Sequence, residues 1–475
     1  MGWNCIEDIS YGGEARLSGT MTRKTVKIAK GCTHELHYFS TEEINIFQTC
    51  LLAWYSKNKR RLPWREIAEV EEDENKRGYC VWVSEIMLQQ TQVATVISYY
   101  NRWMEKFPTV KTLSQGTLED VHKLWAGLGY YSRGTRLLEG AKKIEDQMNG
   151  QVPQSSSELI KIPGIGRYTA CAVASIAYGE RKGVVDGNVL RVMTRLRLIG
   201  SDVTNQETVE HIWSLADQVV DQDRPGDFNQ AVMELGAAVC LPRNPLCAAC
   251  PISSICKAFE RTRIPKPKNK NRKEKASSLY DIEDCHLCLP KENPFVTADG
   301  VQNYPRKKKK TAAREQKYFV YIVHKKEKEF LVFQRPSEGL FANLWEFPCI
   351  EADEEMKDSI FLETIGIKTS AAIKCGETFH KLSHINQYYI VNELKVDGDS
   401  QILLPSTHQK MEWLTEEKIK SSVASTAMKK IFQEWKNKLE KTVKPEIRRK
   451  RKADSKISGG DMKRQPSINS FFKAE

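Results

Sequence analysis

Residues Leu159–Ala170 read LIKIPGIGRYTA. Pro163, Gly164, Ile165 and Gly166 separate two stretches of helical character. Gly164 and Gly166 let the backbone come close to a phosphate, and a helix starting near Arg167 points its free N–H groups outward. Such a hairpin can hold a DNA strand by its backbone without reading its bases. A plain turn between two helices fits the same letters. Around this segment, from about Thr41 to Phe259, helical periodicity dominates. It runs over Ile44–Tyr55, Val81–Tyr100, Leu118–Trp125, Gly134–Met148, Tyr168–Ala177, Val189–Leu198, Val209–Val220 and Asn229–Val239. Gly, Pro and Asp/Asn breakers separate these runs, and strand signals are scarce, so the region is expected to be all-α.

Downstream stand Cys240, Cys247, Cys250 and Cys256, spaced C-x6-C-x2-C-x5-C. Four thiolates so close in sequence can surround one metal centre, and soft sulfur suits zinc or iron–sulfur. The spacing alone leaves both open. The chain has thirteen cysteines in 475 residues and does not resemble a disulfide scaffold.

Length suggests two to three domains. Apolar residues make up 40% and charged residues 28%, which rules out wholesale disorder. No uncharged apolar run reaches the ~18 residues of a membrane span. Met1–Lys30 lacks an apolar core and carries Glu7, Asp8 and Glu14, so a secretory signal is not expected and a mitochondrial presequence is disfavoured. Lys plus Arg is 73 against 61 Asp plus Glu, a net charge of +12 that favours a polyanionic partner. The expected order is a loose tail over 1–38, the helical domain over 39–260 and a Lys- and Pro-rich linker over 261–314. A small α+β domain over 315–437 and a basic tail over 438–475 complete it. In the α+β region Tyr318–Val323, Phe330–Phe333 and Tyr388–Val391 read as strands, and Glu355–Ile365 and Glu416–Glu434 as helices.

Two carboxylates stand out. Asp186, in VVDGNVLRV, precedes a helical stretch. An N-cap there would be held ionised by backbone N–H groups. Glu85, in YCVWVSEIMLQQTQV, has Val81, Trp82 and Leu88 one helical turn away, a setting that raises a carboxyl's pKa. One charged and one protonated carboxyl is the arrangement that cleaves a glycosidic bond. The surface glutamate and the simple cap are the plain alternatives.

The cysteine spacing after an all-α domain with this hairpin resembles the helix-hairpin-helix DNA glycosylases of the endonuclease III superfamily. The stretches VWVSEIMLQQTQVATVISYY, LWAGLGYYSRG, IPGIGRYTACAVASIAYG, VVDGNVLRVMTRL and DFNQAVMELGAAVC are similar to adenine DNA glycosylases of the MutY type, in their vertebrate form. That resemblance covers roughly residues 40–260, with a weaker match over 315–437. It implies a [4Fe–4S] cluster on the four cysteines and removal of adenine opposite 8-oxoguanine in double-stranded DNA. Glu85 would protonate the adenine and Asp186 would stabilise the oxocarbenium ion, with Tyr168 and Asn188 assisting. Gln90 and Tyr130 would press into the duplex, and Gly164 and Gly166 would hold its backbone. Lyase members of the superfamily carry a Schiff-base lysine where this chain has Tyr168, so strand scission is not expected.

Gln334-Arg335-Pro336 and the run from Gly339 to Pro348 resemble the start of a Nudix domain. The R-E-x2-E-E carboxylates that would hold Mg²⁺ are absent, so hydrolysis is expected to be lost. In MutY enzymes this domain reads 8-oxoguanine with an F-S-H loop. Here Leu382, Ser383 and His384 occupy it, which gives Ser383 and His384 as readers. Animal members also bind zinc in the linker. His37, Cys285 and Cys288 match three of those ligands, one short of the four that structural zinc takes. Gln465, Ile468, Phe471 and Phe472 form Q-x2-I-x2-F-F, similar to the box that binds the sliding clamp PCNA. The resemblance further implies contact of the linker with the checkpoint clamp, a monomer, no membrane partner, and a nuclear location with the mitochondrion as a second one. The rival readings are an oxidised-pyrimidine glycosylase/lyase, a non-catalytic clamp-bound damage sensor and a nucleotide pyrophosphohydrolase.

Overall fold

The computed structural model describes residues 34–264, 280–281, 285–307, 312–325, 329–339, 341–352, 362–367, 372–382, 385–396, 402–421 and 424–439. The chain divides into two compact units, Met1–Thr311 and Ala312–Glu475. No helix among the described residues is long and apolar enough to cross a membrane.

In the first unit α1 (Thr41–Asn58) starts at a capping box of Ser40 and Glu43. After α2 (Pro63–Val70) come α3 (Glu74–Leu88), capped by Asp73, and α4 (Val93–Lys106). The run Val81–Tyr100 was expected to be one helix. It is broken, because Gln90 turns into the left-handed region at φ 53°. The reason lies elsewhere in the chain. Arg133 donates hydrogen bonds to the carbonyls of Ile86, Met87 and Gln89, the groups a continuing helix would use. α5 (Val110–Ser114), α6 (Leu118–Trp125) and α7 (Ser132–Met148) follow. The hairpin joins α8 (Ser156–Leu159) to α9 (Arg167–Tyr178), with Gly164 at φ +79° and Gly166 as N-cap. α10 (Gly187–Leu196), α11 (Gln206–Val219) and α12 (Pro225–Ala238) complete the core, and α13 (Lys257–Thr262) closes the cysteine loop.

The core is heavily aromatic: Trp82, Trp103, Trp125, Tyr79 and Tyr100 are all buried. α3 packs on α9, and α12 packs on both α9 and α10. Those contacts bring Glu85, Tyr168 and Asp186 together. Composition marks 261–314 as linker, yet Tyr280, Leu289, Val301 and Tyr304 are buried against Leu198 and Ala258 of the helical unit. His37, expected in the loose tail, is fully buried.

The second unit is built on one sheet of order β3 (Trp345–Glu346), β2 (Glu329–Gln334), β1 (Arg314–His324), β6 (Ile385–Lys395), β5 (Ile373–Lys381), with β4 (Cys349–Glu351) on β1 and β7 (Lys410–Thr415) on β2. The central pair, β1 and β6, is parallel. β2 and β3 form one flank and β5 the other edge. The helical pattern Glu416–Glu434 splits into α14 (Glu416–Ser421) and a second helix over 426–439, while most of Glu355–Ile365 lies outside the described residues.

Gly236 on α12 packs against Asn188 in the first turn of α10. A Cβ there would come within 2.6 Å of the Asn188 Cβ. Gly236→Ala is expected to destabilise the protein by about 1–3 kcal/mol, as overpacking does. Thermal unfolding checks it: an unchanged midpoint would show that the crossing has slack.

Candidate active site and metal centres

Glu85 lies in α3 among Val81, Trp82 and Ile86 and is 6% exposed. Its Oε2 accepts a hydrogen bond from the Tyr168 hydroxyl at 2.8 Å. Burial pushes its pKa up to about 7; the Tyr168 hydrogen bond and the Arg65 charge lower it, and the Asp186 charge raises it. This carboxyl therefore keeps its proton well above the pH at which an ordinary glutamate has lost it.

Asp186 caps α10. Its Oδ1 accepts the Asn188 N–H at 2.9 Å and the Val189 N–H at 2.7 Å, and its Oδ2 accepts the Asn188 side-chain amide at 2.8 Å. The expectation of a simply ionised cap is incomplete. Burial raises the pKa of Asp186, against the pull of these hydrogen bonds and of Arg191. Three N–H donors serve Asp186 and one hydroxyl serves Glu85. The anion is thus better held at Asp186 and the proton at Glu85. No amine stands where the tyrosine does.

Residues that sequence reading missed support the pair. Arg65 follows Leu62-Pro63-Trp64, and its Nη2 donates to Glu234 Oε2 at 2.9 Å; Arg60 reaches the same carboxylate. Arg191 is buried on α10. It donates to Asn188 Oδ1 at 2.9 Å, to the Gly236 carbonyl at 2.6 Å and to the Cys240 carbonyl at 2.7 Å. Asp186 is thereby tied through Asn188 and Arg191 to the first cysteine of the loop.

Gln90 and Tyr130 both have positive φ, 53° and 49°, and both are exposed. Non-glycine residues in this region mark backbone held by its surroundings. The holding group is Arg133. Besides the three carbonyls before Gln90 it donates to Gly129 O at 3.0 Å and Tyr130 O at 3.4 Å. One guanidinium therefore fixes both loops. In the sequence it reads as an ordinary helix-surface arginine.

Cys240, Cys247, Cys250 and Cys256 line one cavity, walled otherwise by apolar residues such as Val192, Leu196, Leu235 and Phe259. Burial pushes the Cys250 and Cys256 thiols up to about 12. Those two thiols stay protonated until a cation replaces the proton, and four cysteines on one largely apolar cavity fit a metal cluster. Arg195 adds a hydrogen bond to Cys240 Sγ at 3.2 Å. The linker cysteines have more company than expected: His34 joins His37, Cys285 and Cys288, so the set holds four ligand residues where the sequence offered three. Ser383 and His384 lie outside the described residues. They fall between β5 and β6, whose strands close with Lys381 opposite Asn386. Gln465, Ile468, Phe471 and Phe472 also lie outside the described residues.

The fold and the carboxyl pair define a base-excision glycosylase built on a helical hairpin unit, and comparison with known proteins agrees. The profile of the HhH-GPD superfamily base excision DNA repair proteins matches residues 83–218, and the NUDIX domain profile matches 319–434. Adenine DNA glycosylase of Rattus norvegicus is 42% identical over 448 residues, 90% of this chain and 85% of that protein. The Homo sapiens adenine DNA glycosylase is 43% identical over 408 residues, 82% of this chain and 74% of that protein. A solved thermostable thymine-DNA glycosylase is 25% identical and covers 46% of this chain and 98% of its own, with a TM-score of 0.40. The chain belongs to the adenine DNA glycosylase family.

Tyr168→Phe removes the hydrogen bond that stabilises ionised Glu85, so the carboxyl should hold its proton to higher pH. The basic limb of the single-turnover excision rate, expected at about 7 in the parent protein, should move upward in this variant. A limb that moves down or stays would remove Glu85 as the titrating acid.

Proposed function

We propose that this chain hydrolyses the N-glycosidic bond of adenine paired with 8-oxoguanine and leaves the DNA strand intact. The observation that carries the reading is buried Glu85, bonded by Tyr168 and raised in pKa, beside a capped Asp186. The hairpin at Gly164 and Gly166 holds the backbone while the adenine leaves the stack. Gln90 and Tyr130 fill the gap. Glu85 gives its proton to the leaving adenine as the bond to the sugar breaks. The carboxylate of Asp186 faces the cationic sugar, and a water adds to the sugar carbon, its proton returning to the carboxyl pair. Tyr168 has no amine to form a Schiff base, which argues against the lyase reading. A non-catalytic sensor would have no use for a carboxyl raised to about 7. Loss of the R-E-x2-E-E carboxylates argues against the pyrophosphohydrolase.

Cys240, Cys247, Cys250 and Cys256 would hold a [4Fe–4S] cluster. Its part here is to order the loop that Arg191 and Arg195 grip; it supplies no step. Ser383 and His384, between β5 and β6, would accept and donate at N7–H and O8 of 8-oxoguanine. The tail box Gln465, Ile468, Phe471 and Phe472 would dock on the sliding clamp, with three apolar side chains for a pocket and one polar anchor. The basic runs Arg306–Lys310 and Arg448–Lys452 fit nuclear import, and the linker would meet the checkpoint clamp. The mitochondrion stays the second proposed location, and a monomer the proposed state.

The test uses the full chain with Ser383→Ala and His384→Ala together, on A:8-oxoguanine and A:G duplexes. Each unpaired hydrogen bond costs ~1–3 kcal/mol, so the preference for the lesion should fall about tenfold to a hundredfold. Cleavage at the adenine should need added alkali. An unchanged preference would take the second unit out of lesion reading, and strand nicking without alkali would refute the hydrolytic reaction.

A further inference from the structure

β5 ends Thr378-Phe379-His380-Lys381, and β6 begins Ile385-Asn386-Gln387-Tyr388. Their antiparallel register sets Phe379 opposite Tyr388 and Lys381 opposite Asn386, so these four share one face of the sheet. The parallel register with β1 adds Lys317 beside Tyr388 and Glu315 beside Asn386 on that face. Farther along it, Tyr321, Val323 and Leu394 are buried with Leu362 and Ile365. Near the β5–β6 turn no described residue gives such cover, and Phe379 is 43% exposed and Tyr388 37%. The two rings lie 5.1 Å apart at 44°. A cross-strand aromatic pair steadies a hairpin, yet contact with each other leaves the outward parts of both rings in water.

The surroundings select the partner. β5 is an edge strand of the sheet, where another chain could add a strand. Lysines close that edge: Lys430 Nζ donates to the Phe379 carbonyl at 3.4 Å, and Lys438 Nζ donates to the Lys374 carbonyl. Strand addition by a protein is thereby opposed, and the face rather than the edge is available. Lys317, Lys381 and Lys430 stand around the rings and are exposed. Of the nearby acidic groups, Glu377 is paired with Lys374 at 2.7 Å, and Glu315 Oε1 accepts the Tyr388 hydroxyl at 3.4 Å. Neighbouring strands lie about 4.8 Å apart and alternate residues of one strand about 6.8 Å apart, so a lysine flanks the ring pair on two sides. Apolar rings between cations suit a polymer that alternates apolar sugars with phosphates.

We propose that this face grips the sugar–phosphate backbone of duplex DNA, with Phe379 and Tyr388 against a deoxyribose and Lys317 and Lys381 at the flanking phosphates. Such a contact reads no base. It rests on the reading of the second unit as the part that meets the lesion through Ser383 and His384, which follow Lys381 closely in the chain. It adds a task those two do not perform, which is to supply affinity for DNA whatever base stands opposite the adenine.

Fluorescence anisotropy with the full chain tests it, on duplexes in which 2′-fluoroadenosine, whose glycosidic bond resists cleavage, stands opposite 8-oxoguanine or guanine. Phe379→Thr with Tyr388→Thr keeps strand-forming residues and should weaken binding of both duplexes about fivefold, with the ratio between them unchanged. Lys317→Ala and Lys381→Ala should each lower the slope of log affinity against log salt by about 0.9. They stand outside the core, so they decide the matter alone if the threonine pair unfolds the unit. Ser383→Ala with His384→Ala should move the ratio and leave the slope; an unmoved ratio there would end the reader assignment while the affinity and slope readouts still decide this one. Unchanged affinity in the folded threonine variant, a loss confined to the 8-oxoguanine duplex, or an unchanged slope in both lysine variants would each overturn the proposal.

Discussion

Burial of Glu85 between α3 and α9, with its only described hydrogen bond coming from Tyr168, is the constraint on which the rest of the helical unit depends. A carboxyl raised from 4.5 to about 7 is bound more tightly to its proton in the folded chain than in the unfolded one. Stability therefore falls as pH rises through that window, and above it the ionised form costs about 3 kcal/mol. The aromatic core around Trp82, Trp103 and Trp125 offsets that cost. Asp186 adds to it, because a second carboxyl opposite the first raises the energy of the doubly ionised state.

The supports of this pair run outward along a few buried cations. Arg65 and Arg60 balance the buried Glu234, and the Arg65 charge also reaches Glu85. Arg191 links Asn188 to the backbone at Cys240, and Arg195 donates to the Leu241 and Pro242 carbonyls that follow it. The cysteine loop and the aspartate cap are consequently parts of one hydrogen-bonded frame. Arg133 plays the same part at the surface, where it holds Gln90 and Tyr130 in backbone conformations they would not adopt alone. Arg133, Arg191 and Arg195 each donate to several backbone carbonyls, which a planar fork of five N–H groups does better than any other side chain.

Much of this was legible in the sequence where one residue's own neighbours decide its environment. The apolar flank of Glu85, the cap position of Asp186, the glycines of the hairpin and the cysteine spacing are all local, and their placement followed. What periodicity hid depends on distant partners. Val81–Tyr100 reads as one helix because no glycine or proline interrupts it, and only Arg133, more than forty residues on, shows why it breaks. Arg65 and Glu234 gain their meaning from each other across 169 residues. His34 looked like tail because a turn of three residues has no periodicity to read. In the second unit β1, β2 and β6 were visible as apolar runs. β3 and β4 are too short to signal themselves, β7 is as long as β2 but buries only Leu414, and β5 is an edge strand with no buried residue.

The account stands on the protonation of one side chain, and infrared difference spectroscopy of the free protein measures that directly. The carbonyl band of a protonated carboxyl should be present at pH 6 and be lost with a midpoint at about 7, and that titration step should be missing from Glu85→Gln. A Glu85 carboxyl already ionised throughout at pH 6, titrating near the ordinary 4.5, would contradict it.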